Sequence, residues 1–208
     1  MSSNLPPRDP NELMDFPSVI WDDPQVAFRI HLSDNEAAYF GDRGIYRFDA
    51  PRWLTGRQRY GTCYLAQSPV GAFLETLGEI RPLAAHHIDE RVISELVPSE
   101  PFRIADLTDD SVVGRYGIFG DLSAGDDYAL TQEWGAALQQ VGFQGVQYRA
   151  SHHPQLDETS IALFGPVGVS SSLLKYLKDD GEPEPIYRSL LEEMRDRFDV
   201  EVIPAAAW

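Results

Sequence analysis

Cysteine is almost missing from this chain, with Cys63 alone among 208 residues. One cysteine cannot build an internal disulfide framework or a multi-cysteine metal site. Cys63 lies in an apolar run and reads as a small buried hydrophobe, which suits a reducing compartment. Long hydrophobic runs are missing too. No stretch approaches the roughly 18 apolar residues of a membrane span, and the polar, Pro-rich start MSSNLPPRDPNELMD has no charged-then-apolar signal pattern. These absences predict a cytoplasmic protein with no membrane partner. Positive charge is scarce: 17 Lys and Arg stand against 33 Asp and Glu, a net charge of −16. A polyanion would meet a repelling surface, so direct nucleic-acid binding is not expected. Phosphate-binding glycine loops are lacking as well. Gly114, Gly117 and Gly120 are spaced GxxGxxG rather than GxGxxG, and no GxxxxGK[ST] segment occurs.

The charge that is present is unevenly placed. From Asp42 to Tyr60 five arginines (Arg43, Arg47, Arg52, Arg57, Arg59) accompany two acids, whereas Asp179 to Glu201 holds nine acids and three arginines. A basic island in an acidic chain points to a small anionic ligand, and the planar guanidinium fork suits phosphate or carboxylate. Pairing with the surplus acids is the plainer expectation for Arg52, Arg57 and Arg59.

The stretch YGTCYLAQSPVGAFLETLGEI, residues 60–80, is the best-defined unit. Thr62 to Ala66 reads as a buried strand, Ser68 as an N-cap, Pro69 as the first helical residue, and Gly78 as the helix end. Val70, Phe73, Leu74 and Leu77 form an apolar stripe at helical spacing. Glu75 leaves that helix about 100° from Leu74, at the border of core and solvent.

Residues 1–24, with five prolines and no sustained period, read as an irregular surface arm, and 25–208 as one domain including a C-terminal amphipathic helix. Val26 to Leu32 alternates as a strand with Phe28, Ile30 and Leu32 on one face and Arg29 and His31 on the other. Ile45 to Phe48 predicts a short strand, and Pro51 to Arg59 a surface loop. Two strands follow at Arg91 to Val97 and Phe102 to Leu107. A Gly- and Asp-rich connection spans Asp110 to Asp127, and a helix capped by Thr131 runs to about Val141. Strands are expected at Phe143 to Tyr148 and Ser160 to Phe164, a helix from Pro185 to about Phe198, and an edge strand at Val200 to Ile203. Mixed elements without a βαβ rhythm favour an α+β domain with a split mixed sheet and packed helices over a doubly wound fold.

Ser151, His152 and Asp157 lack the GxSxG elbow of a serine hydrolase, and the doublets His86-His87 and His152-His153 lack HExxH-type spacing, so no metal site is expected. What remains is Arg29 and Arg47 on early segments, Tyr60 and Tyr64 flanking the central strand, Glu75 at the helix border, and the Ser151 hydroxyl after a late strand. Those types suit a nucleotide with a scissile glycosidic bond: arginines for pyrophosphate, an aromatic ring for stacking, a carboxylate for an oxocarbenium-like transition state.

The segments FRI around Arg29, GIYRFDAP with Arg47, YGTCYLAQSPVGAFLE with Tyr64 and Glu75, and GVQYRAS with Ser151 followed by IALFG occur in the order of the RES-domain toxins. The chain resembles that family over roughly residues 26–166. The resemblance implies an ADP-ribosyltransferase-like fold acting on NAD as substrate, with no bound cofactor and with water or inorganic phosphate as acceptor. It also implies an Xre-type antitoxin as partner. Arg29 and Arg47 would bind the NAD phosphates, Tyr64 would shape the nicotinamide-ribose pocket, Glu75 would be the catalytic carboxylate, and Ser151 would bind ribose or phosphate. Protein ADP-ribosylation and a non-catalytic nucleotide- or partner-binding module are the alternatives. Two features depart from the family pattern: a long Arg52 to Arg59 link, and His152 where relatives commonly carry arginine.

Overall fold

The computed structural model describes residues 4–7, 9–80, 82–119, 122, 128–150, 158–178 and 181–204. Its organising unit is strand β4 (Gly61–Ala66) followed by helix α2 (Pro69–Leu77). Ser68 caps the helix by accepting from the Gly71 backbone N–H at 2.9 Å, Pro69 occupies the first turn, and Gly78 ends it by donating to the Leu74 carbonyl.

Around this unit the chain runs α1 (Pro10–Leu13), β1 (Ser18–Trp21), β2 (Ala27–Leu32) and β3 (Tyr39–Phe40) ahead of β4. After α2 come β5 (Leu83–Ala84), α3 (Ala85–Asp89), β6 (Arg91–Pro98), β7 (Phe102–Asp106), α4 (Ser111–Tyr116) and α5 (Tyr128–Gln140). Then follow β8 (Gly145–Arg149), β9 (Thr159–Gly165), β10 (Gly168–Val169), β11 (Leu174–Tyr176), β12 (Glu184–Pro185), α6 (Arg188–Phe198) and β13 (Val202–Ile203). The main sheet is mixed, in the order β1-β7-β8-β9-β4-β2-β6-β11, with β12 also on β6 and β7–β8 as its parallel pair.

The seam between β4 and β2 decides where a site can form. Strand β2 pairs with β6 over Ala27 to Leu32, and β4 pairs with β9 over Gly61 to Gly165 through Ala66 to Ser160. Between themselves β2 and β4 share only the Phe28–Ala66 position. The sheet is therefore split into two halves joined at one register point, the α+β arrangement expected from the sequence.

Helix α2 packs Val70, Phe73, Leu74 and Leu77 with Ile30, Ile93, Leu190 and Met194, while α5 packs Trp134 and Leu138 with Val146, Tyr148 and Phe164. The opposite face is closed by Trp21, Phe40, Cys63, Phe102, Ile104 and Leu163. Each cluster is assembled from alternate strand positions, as the two-residue period of a sheet requires.

Four expectations are corrected. Within the expected irregular surface arm, residues 18–21 form an edge strand paired antiparallel with β7, and Leu13, Phe16 and Trp21 are buried. Residues 45–48 form a turn, not a strand, because the buried Asp49 carboxylate accepts from the backbone N–H groups of Ile45 (3.1 Å) and Tyr46 (3.2 Å). The 110–127 connection includes helix α4, and α5 begins at Tyr128, so Thr131 lies inside it and bonds the Tyr128 carbonyl. Among the described residues no helix is long and apolar enough to cross a membrane.

Candidate active site

Where β2 and β4 part, a cavity of about 570 Å³ opens between the strands, α2, the 45–49 turn and the start of α5. That volume is in the usual range of small-molecule sites, about 300–1,000 Å³. Arg29, Arg47, Tyr64 and Glu75 all line it, so the structure gathers four of the six residues singled out in the sequence.

Glu75 enters from α2, whose cleft side presents Ala72, Glu75 and Thr76 at helical spacing, with Glu79 just past the helix end. Below it the sheet is built from small side chains, because Ala66 and Ala162 share a face with Ser160. Those small residues leave height above the strands for two tyrosines, Tyr64 on β4 and Tyr148 on β8. The Tyr148 hydroxyl donates to Glu75 Oε2 at 3.2 Å. Burial holds the Tyr148 phenol well above the usual tyrosine range, and the Glu75 charge pushes it the same way, while Arg47 opposes them. Tyr148 is thus a neutral hydrogen-bond donor to the carboxylate at any physiological pH.

Tyr64 does more than shape a wall. Its hydroxyl accepts from the Phe48 backbone N–H at 2.9 Å and donates to Asp49 Oδ1 at 3.1 Å. Burial, then the Asp49 charge, raises its pKa far above the ordinary value, so the donor proton stays in place. Asp49 in turn closes the 45–49 turn, and Gln132 of α5 donates to the Tyr46 carbonyl at 2.9 Å. This small network presents Arg47 to the cavity. The Arg47 guanidinium carbon lies 4.9 Å from the centre of the Tyr128 ring, a cation–π contact with Arg47 largely buried.

Arg29 lies at the split itself. Its Nη1 donates to the carbonyls of Ala37 and Tyr39 (3.1 Å to the latter) and lies 3.2 Å from Cys63 Sγ. Those contacts tie the 37–39 segment to β4 through one nitrogen of a five-donor fork. Arg91, at the start of β6, is a cavity residue that sequence reasoning did not single out, and its Nη1 donates to the His87 carbonyl at 2.8 Å. Tyr148 was missed as well, since in GVQYR it reads as an ordinary core aromatic. Its place on the Tyr64 face follows from the β4–β9–β8 pairing, which the segment itself does not encode.

Tyr60 is not brought to the cavity. Its ring packs 4.5 Å from Phe164, its hydroxyl donates to the Phe48 carbonyl at 3.3 Å, and burial drives its pKa upward. It supports the arginine turn from the core side. Ser151, with His152, His153 and Asp157, lies outside the described residues. Among the described residues no group of His, Cys, Asp and Glu could hold a metal ion.

The geometry therefore offers a carboxylate oriented by a phenol, the arginines Arg29, Arg47 and Arg91, and aromatic walls beside the seam. It fits a ligand with anionic and flat parts on which positive charge develops near Glu75. Among curated proteins no sequence matches the chain. Among solved structures, the M. tuberculosis MbcT–MbcA toxin–antitoxin complex contains a chain that superimposes with a TM-score of 0.65 at 17% identity, covering 90% of this chain and 96% of that one. That likeness is one of fold. The RES domain profile matches residues 26–181, most of the chain and all of the cavity, and the protein belongs to the RES-domain family.

Proposed function

We propose that the protein is an NAD-degrading toxin that cleaves the nicotinamide–ribose bond. The observation that carries this reading is the Tyr148–Glu75 hydrogen bond inside the cavity shared with Arg29, Arg47 and Tyr64. In the reaction, the bond between ribose C1′ and the nicotinamide ring nitrogen breaks and its electron pair neutralises the pyridinium. The ribose carbon develops oxocarbenium character, which the Glu75 carboxylate stabilises electrostatically. Water or inorganic phosphate then adds at C1′, and the water route releases one proton. Arg29 and Arg47 would hold the pyrophosphate, and the cavity aromatics would confine the nicotinamide ribose.

An NAD-consuming enzyme in a cell needs restraint, and one structural neighbour comes from a toxin–antitoxin complex. An antitoxin of Xre type is the proposed partner. The arginines at the cleft favour a partner segment bearing carboxylates.

Incubating the purified protein with NAD, with and without inorganic phosphate, and resolving products by mass tests the reading. Nicotinamide release supports it; ADP-ribose-1-phosphate formed only with phosphate identifies a phosphorylase. NAD left intact in both conditions overturns it. ADP-ribose found on a protein band in place of free product would redirect it to protein modification.

A further inference from the structure

A second cavity of about 420 Å³ adjoins the first and shares Ile45 and Tyr128 with it as a common rim. Arg52, Trp53, Gln132 and Glu133 lie along its other walls. Trp53 is 61% exposed, the most exposed of the large apolar side chains among the described residues. A large ring left in water on the wall of a cavity is costly to leave bare and offers a flat stacking face. Arg52 has its stem against Gly44: a Cβ there would meet Arg52 Cγ at 3.2 Å, and the glycine's φ of +67° disfavours other residues as well. A guanidinium beside an aromatic ring suits stacking on a base and contact with a phosphate together.

The order of parts across the rim is informative. Glu75 and Tyr148 lie in the first cavity, Arg47 sits over Tyr128 at the junction, and Trp53 and Arg52 lie beyond it. Gln132 fixes this junction from below through its bond to the Tyr46 carbonyl. A dinucleotide has the same sequence of parts: a nucleoside, a pyrophosphate, and a second nucleoside.

We infer that the second cavity is the subsite for the purine nucleoside monophosphate half of the dinucleotide, with the base stacked on Trp53. The phosphate lies between Arg47 and Arg52, and the ribose hydroxyls donate to the Glu133 carboxylate. This inference rests on the NAD-cleaving reading for its orientation. It assigns binding, and no bond-breaking, to the 51–53 segment.

AMP is the probe. Calorimetric titration of AMP into the wild-type protein, Trp53→Ala and Glu75→Gln separates the two cavities, and thermal melting confirms that each variant is folded. Loss of a base stack weakens AMP binding roughly 10- to 100-fold in Trp53→Ala. Glu75→Gln binds AMP as the wild type does. In turnover, Trp53→Ala raises KM for NAD with kcat nearly unchanged, and leaves nicotinamide release from nicotinamide mononucleotide unaffected, because that substrate lacks the adenylate half. AMP binding equally tight in Trp53→Ala, or absent from the wild type, overturns the subsite. AMP binding that depends on Trp53 in a protein that leaves NAD intact overturns the cleavage reading and keeps the subsite.

Discussion

At the scale of single residues the active-site argument turns on Glu75 and on the phenol that orients it. Glu75→Gln keeps the shape and removes the charge, and turnover is expected to fall by roughly 10² to 10⁴ in a folded protein. Tyr148→Phe removes one hydrogen bond to a charged group, worth about 1.5–3 kcal/mol, and should lower kcat by roughly tenfold or more with less change in KM. Because Tyr148 acts through Glu75, its effect should vanish in the Glu75→Gln background, which a double-mutant cycle reads directly. Additive losses would show that Tyr148 works independently.

His31 makes a different residue-level prediction. Its Nδ1 lies 2.9 Å from the Leu32 carbonyl and its Nε2 2.9 Å from Ser94 Oγ, so the neutral ring donates from Nδ1 and accepts at Nε2. Burial lowers its pKa first, the Leu32 carbonyl counters, and the Arg29 charge lowers it further. In the window below the ordinary histidine value of about 6.5 the unfolded chain then binds more protons than the folded one. Stability is full above that value and is lost as pH falls toward the depressed folded pKa. Melting temperatures between pH 7 and 5 should fall less steeply in a folded His31→Gln variant than in wild type.

At the scale of elements, the β4–α2 unit was legible because its signals agree: an apolar strand run, a serine cap, a proline in the first turn and a helical stripe. The 45–48 segment was misread because IYRF has strand-forming residues, while the deciding group is Asp49, which draws two backbone N–H groups into a turn. A long-range partner reinforces it, since Tyr64 bonds both Phe48 and Asp49. Strand β1 was missed because four residues on a sheet edge are too few to show a period, and its pairing with β7 lies far along the chain. The cavity residues on strong local patterns, Glu75 and Tyr64, could be singled out from the sequence. Arg91 and Tyr148 could not, since their role comes from which strands lie beside the seam. Asp49→Ala tests the turn: it should cost on the order of 2–3 kcal/mol in urea unfolding and raise KM for NAD more than it lowers kcat, because Arg47 loses its mount. A variant with lowered stability and an unchanged KM would separate Arg47 from substrate binding.

At the scale of the whole molecule, the split sheet concentrates mechanical weakness at the seam that holds the proposed active site. The two halves meet through the Phe28–Ala66 position, and α2 packs Phe73 and Leu74 across toward Ile30 on one side and follows β4 on the other. Thr76 Oγ1 donates to the Ile30 carbonyl at 3.3 Å, a bond to β2 from the helix rather than from a neighbouring strand. A ligand lying in the seam adds contacts to both halves and should act as a clasp. With Glu75→Gln used to hold NAD uncleaved, ligand at about 100 times its Kd should stabilise the fold by about 2.7 kcal/mol. Hydrogen exchange should slow most at residues 29–32, 45–49 and 61–66, and least at the β1–β7 edge. Equal protection across the molecule would mean that the halves already behave as one rigid body. Protection confined to α6 and β13 would place the ligand on the acidic C-terminal side and remove the seam as its binding site.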